Sequence, residues 1–268
     1  MILDRFSHSG IQSYKKCPAQ FKFRYLHKII KKDEGIEAFL GKRVHESIEY
    51  LYNQVKSGVV PLVDEILKVH RSLWKEKWHD RVAIVYQNKT PRDYFYLGEE
   101  CIARFYRLYH PFTEKVVANE HEMIFLLDGD ENYKIKGIVD RVDHDGDGNW
   151  EIHDYKTGKR ALSQKEADKD HQLALYQIGL ISEVSNIKSV KLVWHFIQHG
   201  IKVESQRNSV QIKQVIQETK RSIDEIRNKL KNGGEFLPKT SILCNWCYFW
   251  EECPSQSGSN PYINPPKK

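Results

Sequence analysis

The chain has 268 residues, of which 40 % are hydrophobic and 29 % charged, an ordinary composition for a soluble globular protein with a large core. Its 42 Lys and Arg residues exceed its 36 Asp and Glu residues, and the net charge of +6 permits a polyanionic partner without requiring one. The sequence contains neither the apolar run of a signal peptide nor the ~18 apolar residues of a membrane span, so we expect a cytoplasmic protein that does not interact with membranes.

Hydrophobic periodicity predicts helices in the first part of the chain and strands after residue 111. The predicted helices cover residues 7–26, 37–56, 64–79, 91–109, 164–183 and 209–231, and the predicted strands cover residues 116–127, 133–142, 150–155, 188–198 and 201–205. Residues 255–268, rich in Ser, Pro, Gly and Lys, are expected to form a mobile tail. This order predicts an α/β fold with a mixed central sheet and a helical N-terminal layer.

Two carboxylates and a lysine are predicted to meet at the ends of two strands. Asp140 lies near the end of one predicted strand, and Asp154 and Lys156 lie two residues apart on the next, so the side chains of Asp154 and Lys156 share a face of the sheet. Converging carboxylates repel each other unless a cation lies between them, and Mg²⁺ or Mn²⁺ takes such oxygen ligands. A neighbouring lysine could hold an attacking water or stabilise negative charge at phosphorus. The alternative is a surface hairpin with ordinary acidic residues.

The turn between these strands has the acidic spacing of an EF-hand calcium loop, with Asp143, Asp145 and Asp147 followed by Gly148. The twelfth position is Asp154, where that loop has a bidentate Glu. The flanking segments are predicted strands, whereas an EF-hand requires helices. We therefore interpret the segment as an Asp/Gly turn.

The segments GIVDRVD, EIHDYKTGK and QLALY, in this order, resemble the RecB-like branch of the PD-(D/E)XK nucleases. That branch also has a histidine on an early helix in a Gly-x-x-x-His setting, which Gly41 and His45 match. The resemblance covers residues 7–254 and implies a restriction-endonuclease-like core. It implies that Lys156 is catalytic, that Gln172 and Tyr176 position the substrate or the site, and that the metal ligands are His45, Asp140, Asp154 and the carbonyl of Tyr155. Glu49, one turn beyond His45, is a weaker candidate ligand.

Four of the five cysteines have the placement of metal ligands. Cys244, Cys247 and Cys253 lie in CNWCYFWEECP and Cys17 lies in SYKKCPAQ, whereas Cys101 falls in an apolar helical pattern typical of a core residue. Four thiolates suit either zinc or an iron–sulfur cluster. The arrangement of three plus one is less typical of zinc, and it resembles the iron–sulfur members of the same nucleases, including AddB-type and CRISPR-associated enzymes. The resemblance thus implies a 4Fe–4S cluster that joins the two ends of the domain.

The resulting hypothesis is a single nuclease domain over residues 1–254, with a helical region at 34–112 and a C-terminal iron–sulfur segment. Its predicted activity is metal-dependent exonucleolytic cleavage of single-stranded DNA or DNA ends, in repair, recombination, phage replication or CRISPR adaptation. The sequence has no phosphate-binding loop of a helicase motor, so a helicase or integrase could be a separate partner. Basic and aromatic residues near Cys17, among them Tyr14, Phe21, Phe23 and Tyr25, could guide the strand. A nucleic-acid-binding module without catalysis is the alternative.

Overall fold

A five-stranded mixed sheet forms the centre of the fold. The computed structural model describes residues 3–256 and 258–263. The strand order is β3-β4-β5-β6-β7, with β5 and β6 parallel and the other neighbours antiparallel. These strands are β3 (Val116–Leu126), β4 (Lys134–His144), β5 (Asn149–Lys156), β6 (Ser189–Phe196) and β7 (Ile201–Ser205). The predicted mixed sheet and α/β class are confirmed.

Helices cover both faces of this sheet. Buried residues of α1, α7 and α8 pack against one face, and those of α3, α4 and α5 pack against the other. The helices are α1 (His8–Lys16), α2 (Pro18–Phe21), α3 (Ile36–Lys56), α4 (Val63–Lys77), α5 (Pro91–Tyr109), α6 (Gln164–Ala167), α7 (Gln172–Glu183) and α8 (Ser209–Lys231). The predicted N-terminal helical layer is therefore formed by α3, α4 and α5. Because α7 connects the parallel strands β5 and β6, it lies directly against the sheet.

The first predicted helix is interrupted at Cys17, which has an extended backbone with φ −154° and ψ 105°. The next residue is Pro18, whose ring disfavours the helical conformation of the residue before it. The chain resumes as α2 and continues into a π-helical turn, Lys22–Leu26. The single helix predicted for residues 7–26 was wrong on this point.

The helix predicted for residues 164–183 is divided into α6 and α7. Asp170 lies between them, and its carboxylate accepts a hydrogen bond from the backbone N–H of Leu173 in the first turn of α7. A side chain that bonds to the backbone in this way favours a helix start over a continuous helix. Gln172 is therefore the first residue of α7, close to the end of β5.

Two short parallel strands, β1 (Glu34–Gly35) and β2 (Val82–Ala83), pair within the helical layer and were not predicted. Ile84 donates its N–H to the carbonyl of Tyr262, and Ala83 forms an isolated bridge with Ile263. This part of the predicted mobile tail is thus attached to the helical layer, while residue 257 and residues 264–268 lie outside the described residues. Among the described residues, no helix combines the length and apolar character needed to cross a lipid bilayer.

Candidate active site

The two aspartates of the hairpin lie on the same face of the sheet. The β4–β5 ladder pairs Arg141 with His153, so the position of Asp140 continues opposite that of Asp154. Here the Asp140 side chain, and not a backbone carbonyl of β4, accepts the hydrogen bond of β5: its Oδ2 atom accepts the N–H of Tyr155 at 2.6 Å. Asp154 is 4 % exposed, whereas the Asp140 side chain is 14 % exposed. The ladder thus brings together the two carboxylates that the sequence predicted to converge.

Lys156 is held by contacts on both sides of its ammonium group. Its Nζ lies 2.7 Å from Oδ2 and 2.9 Å from Oδ1 of Asp154, and 3.1 Å from Oε1 of Gln172. The Nε2 amide of Gln172 donates to Asp154 Oδ1 at 3.0 Å and to the Tyr176 hydroxyl at 3.3 Å. Gly137 makes room for this arrangement, since a Cβ there would lie 2.7 Å from a ring carbon of Tyr176. The predicted pair on α7 therefore contacts the predicted lysine and aspartate.

His45 reaches the same place from α3, on the other side of the hairpin. Its Nε2 donates to the carbonyl of Tyr155 at 2.7 Å, and its Nδ1 lies 3.6 Å from Oδ1 of Asp140. One turn earlier, a Cβ on Gly41 would lie 3.0 Å from the hydroxyl of Thr157. A glycine at that position lets α3 lie close to the end of β5, which gives the Gly-x-x-x-His spacing a physical reason.

Glu120 belongs to the site and was missed by the sequence reasoning. One ligand atom each from His45, Glu120 and Asp140 lie within 4.8 Å of one another, while Glu49 is not in this group. Glu120 is on β3, opposite the position of Asp140 in the hairpin register, and its φ of +46° is unusual for a non-glycine residue inside a strand. The only sequence signal was an acidic residue in the neighbouring strand, and using it required the β3–β4 register.

Crowding of carboxylates dominates the electrostatics. Burial and the charge of Asp140 raise the pKa of Asp154 to about 6, although Lys156 opposes the shift. Burial and Asp140 also raise the pKa of Glu120 to about 7 against the effect of His45. Burial lowers the pKa of Lys156, but the Asp154 carboxylate outweighs it and the net shift is upward. The site therefore holds more negative charge than its lysine neutralises.

His45 supplies the second positive charge. Burial acts to lower its pKa, but Asp140, Asp154 and the hydrogen bond to Tyr155 together raise it from 6.5 to about 9. A raised folded-state pKa means that protonation of His45 stabilises the fold. That contribution is complete below about pH 6.5 and is lost as the pH rises through about 9.

The donor atoms present fit a hard divalent cation. The carboxylates of Glu120 and Asp140 converge with the His45 imidazole, which also contacts the Tyr155 carbonyl, while Asp154 lies outside this group of three. Oxygen-rich sets with one nitrogen suit Mg²⁺ or Mn²⁺. The buried Oδ2 of Asp154 makes no hydrogen bond of good geometry, although it is close to the Lys156 ammonium. The surplus of negative charge is what a bound cation would neutralise.

The opposite face of the hairpin carries a buried polar network centred on Arg141, which is 1 % exposed. Its guanidinium lies 3.0 Å from the Asp143 carboxylate and donates to the Tyr155 hydroxyl at 3.1 Å and to the His153 ring at 3.2 Å. His153 is in turn 2.9 Å from His195. These side chains alternate with Asp140 and Asp154 along the same two strands, so the network supports the strands that carry the site.

A second group with ligand atoms within 4.8 Å consists of Asp143, Glu151 and His153. Its carboxylates already contact cations, since Arg141 lies against Asp143 and Lys191 lies 2.8 Å from Glu151. A divalent cation would therefore meet charges that are already neutralised, and the group lacks the negative surplus of the first site.

The four predicted cysteine ligands come from both ends of the fold. Cys17, Cys247 and Cys253 pack around Ala19, Phe23 and Phe249. Burial and the nearby thiols raise the pKa of Cys247, and the N–H groups of Lys239 and Ser241 point at the sulfurs of Cys17 and Cys244 at 3.4 Å each. Within residues 3–256 and 258–263, however, no three cysteine sulfurs lie within 4.8 Å of one another. A tetrahedral zinc site needs sulfurs about 3.8 Å apart, so no preformed zinc site is present in that part of the chain.

The aromatic residues near Cys17 do not form a base-stacking surface. Tyr14, Phe21 and Phe23 are buried and contact neighbouring rings, and only Tyr25 is partly exposed. The expectation that these rings guide a strand was wrong for the three buried residues, because they face the core. Cys101 is fully buried, as predicted. The Asp/Gly turn is also confirmed, since Asp145 accepts backbone N–H groups of Asp147 and Asn149 between two strands.

Fold and site together define the class of protein. The chain matches the profile of the PD-(D/E)XK nuclease superfamily over residues 5–254 and belongs to this superfamily. Its fold is similar to a crystal structure from Eubacterium rectale named "Putative exonuclease", with a TM-score of 0.51 and 16 % identity over 91 % of this chain and 87 % of that one. A structure named SSO0001 aligns with 12 % identity over 96 % and 88 % of the two chains, and its TM-score of 0.42 is too low to support a conclusion. No curated protein sequence matches the chain.

The buried network gives a test of how the site strands are supported. Arg141→Met leaves the Asp143 carboxylate buried without its cation, so we expect the free energy of unfolding to fall by about 3–5 kcal/mol. The double variant Arg141→Met/Asp143→Asn should recover part of this loss, because the uncompensated charge is gone. Urea denaturation of the wild type and both variants measures the effect.

The exposed Arg92 provides the control for this experiment. Its guanidinium contacts the Tyr96 hydroxyl at the surface, so Arg92→Met should change stability by less than about 0.5 kcal/mol. If Arg141→Met has the same free energy of unfolding as the wild type, the strands do not depend on this network.

Proposed function

We propose that the protein is a divalent-metal-dependent deoxyribonuclease that acts as an exonuclease on single-stranded DNA or DNA ends. Membership in the nuclease superfamily supports hydrolysis of phosphodiester bonds. The observation that carries the proposal is the contact of Lys156 with both Asp154 and Gln172, beside the converging group of His45, Asp140 and the Tyr155 carbonyl.

Each side chain has a role that follows from its contacts. His45, Asp140, Asp154 and the carbonyl of Tyr155 would hold the cation, which supplies Lewis acidity and a bound water of lowered pKa. Lys156 stays protonated because Asp154 raises its pKa, so it can orient an attacking water and stabilise the charge that develops on the phosphoryl oxygens. Gln172 holds Lys156 and Asp154 in one arrangement, and Tyr176 accepts a hydrogen bond from Gln172.

Glu120 is proposed as an additional ligand of the same cation. Its carboxylate lies close to the Asp140 carboxylate and the His45 imidazole. The left-handed backbone at this residue costs about 1–3 kcal/mol in a non-glycine residue. Strain of that size persists only where the surroundings enforce it. A bound cation would offset this cost, because it would neutralise the mutual repulsion of the carboxylates.

The four cysteines are proposed to bind a 4Fe–4S cluster, with zinc as the alternative. Their approach from both ends of the chain and the N–H groups directed at two of the sulfurs support this proposal. Their sulfurs are wider apart than around a single ion, and a four-iron cluster offers each thiolate a separate iron. None of the five cysteines, all of which lie within the described residues, forms a disulfide, so their sulfurs are available to a metal. Repair, recombination, phage replication or CRISPR adaptation, with a helicase or integrase as partner, remain the proposed contexts.

Nuclease activity is tested with end-labelled DNA. Wild-type protein should digest single-stranded DNA in Mn²⁺ or Mg²⁺ and should be inactive in EDTA, and 5′- and 3′-labelled strands report the polarity. Asp154→Asn and Lys156→Met should each reduce kcat by about 100-fold or more. The first removes an anionic ligand of the cation, and the second removes the ammonium group that stabilises negative charge at the reacting phosphate. Asp147→Asn makes the same chemical change as Asp154→Asn in the exposed turn of the same hairpin and should retain activity.

Two outcomes oppose the proposal in different ways. Cleavage that persists in both site variants would place the active site elsewhere. A wild type that binds DNA but cleaves neither DNA nor RNA would favour the alternative function, a nucleic-acid-binding module without catalysis.

The role of Glu120 is tested without DNA. Glu120→Gln should weaken Mn²⁺ binding by about tenfold or more in calorimetric or electron-paramagnetic-resonance titrations, since it removes one anionic ligand. The control is Glu122→Gln. Glu122 lies two residues from Glu120 on β3 and pairs with Lys136 at 2.6 Å, so this variant should bind Mn²⁺ like the wild type. Equal Mn²⁺ affinity of Glu120→Gln and the wild type would remove Glu120 from the ligand set.

The cluster is tested by colour and metal content. Anaerobically purified wild type should be brown and contain iron, whereas Cys247→Ala should lose both and should melt at a lower temperature, because binding of the cluster is coupled to folding. Cys101→Ala removes a thiol that is fully buried in the helical layer and should keep the iron. If the wild type is colourless and contains stoichiometric zinc, the cysteines bind zinc and not a cluster. A wild type without metal would refute both the cluster and the zinc site.

A further inference from the structure

Three adjoining cavities, which together are named the groove, lie beside the candidate active site. The central part of the groove is a cavity of about 320 Å³ that is bordered by Gln172 and Tyr176 of the site and by Gly137 and Ile138 of β4. A second cavity of about 320 Å³ joins it at Ser7 and Lys136. A third, of about 620 Å³, joins it at His8. Because neighbouring cavities share lining residues, the three lie side by side, and the central one contacts Gln172 and Tyr176 of the site.

Positive charge lines both arms of this groove. The arm beyond Ser7, here the N-terminal arm, carries Arg5, Arg24, Lys28 and Lys136 against one acidic residue, Asp4. The arm beyond His8, here the α6 arm, carries Lys15, Lys16, Lys165 and Lys169 against Glu166 and Asp170.

Most of these cations are available to a ligand. Lys136 pairs with Glu122, whereas the other seven are exposed and make no salt bridge within the described residues. Exposed lysines commonly serve only to solvate a surface, but here they line a concave path that reaches the active site. A path of this charge is complementary to a phosphate backbone.

A further cavity, beside the turn of the β4–β5 hairpin, differs from the groove in charge. It has a volume of about 520 Å³ and is lined by four acidic residues, Glu114, Asp143, Asp145 and Glu151, and by two lysines. Both lysines are engaged, since Lys191 pairs with Glu151 and Lys115 donates to the carbonyl of Asp145. This cavity would repel a polyanion, so charge separates it from the groove.

The size of the central cavity favours one strand. Sites of about 300–1,000 Å³ hold a ligand of drug-like size, which is the scale of one nucleotide and not of a duplex. The partly exposed Tyr25 also lines the N-terminal arm, where Phe21 stacks on its ring and the Arg24 guanidinium lies 5.5 Å from the ring centre.

We propose that this groove is the track of single-stranded nucleic acid, whose phosphates contact the cations of both arms while one nucleotide occupies the cavity beside Gln172 and Tyr176. The inference rests on the proposed nuclease function, which it deepens by giving the substrate a path. The strand would enter along one arm and continue along the other.

The test measures binding of a fluorescently labelled single strand by anisotropy at several salt concentrations, in EDTA so that cleavage does not interfere. Lys165→Gln/Lys169→Gln alters the α6 arm, and Arg24→Gln/Lys28→Gln alters the N-terminal arm. Each double variant should bind more weakly and should reduce the slope of log K against log salt by about 1.4, because each lost phosphate contact contributes about 0.7 for a single strand. The matched control is Lys75→Gln/Lys77→Gln, which removes the same charge from exposed positions on α4 and should bind like the wild type.

Each other outcome has a defined meaning. If neither double variant changes the salt slope, or if the control changes it equally, the proposed groove is wrong. If only one of the two double variants changes the slope, the strand does not contact both arms. A duplex that binds as tightly as the single strand and loses as much affinity in the variants overturns the single-strand assignment. If the wild type binds through both arms but does not cleave in Mn²⁺, the proposed nuclease function fails while the groove stands. If the wild type cleaves while both arm variants bind like the control, the groove fails alone.

Discussion

The hydrogen bond from the Tyr155 N–H to the Asp140 carboxylate is the interaction on which the site depends. It lies at the point where the backbone ladder between β4 and β5 ends, and it replaces a main-chain acceptor with a side chain. The same peptide group contributes its carbonyl to His45. One residue of β5 therefore fixes the positions of Asp140 and His45, while its neighbours Asp154 and Lys156 are fixed by the strand itself.

The alternation of side chains on these strands gives the two faces different tasks. On one face, Asp140 and Asp154 are kept close together although they repel each other. On the other, Arg141 and His153 form a buried polar network that includes the Tyr155 hydroxyl. A buried guanidinium with several partners tolerates little displacement, because any lost contact leaves a desolvated charge. The network therefore opposes displacement of β4 and β5, the two strands that carry the repelling carboxylates.

Local spacing was sufficient to place each of two residue pairs on one face of its element. Asp154 and Lys156 are two residues apart on β5, and Gln172 and Tyr176 are one turn apart on α7. The spacing alone did not assign Gln172 and Tyr176 to the site, because that assignment came from the resemblance. The place of His45 depended on a resemblance in motif order, because a lone histidine on a helix carries no comparable signal. Glu120 required the register of β3 against β4 and a left-handed backbone, and neither is encoded in a short motif.

The departures in the fold have equally local causes. The extended backbone before Pro18 divides the first helix, and the bond from Asp170 to the N–H of Leu173 starts α7 later than the periodicity suggested. The burial of Phe21 and Phe23 could not be predicted from their alternation with basic residues, since an amphipathic helix and a stacking surface have the same pattern. Only the packing against neighbouring rings distinguishes them.

Charge connects the site with the surface around it. In the absence of a cation, a protonated His45 and Lys156 offset part of the negative charge, and Asp140 and Asp154 raise the pKa of His45 to about 9. A metal ligand must be deprotonated, so a cation that binds there would displace the His45 proton, and its apparent affinity would rise with pH up to that value. The small net charge of +6 hides an uneven distribution, because the groove is rich in lysine and arginine while the site it passes is acidic. A phosphate backbone attracted by the arms would meet repulsion at the site itself until a cation neutralised it, and binding of the strand and of the metal would therefore reinforce each other.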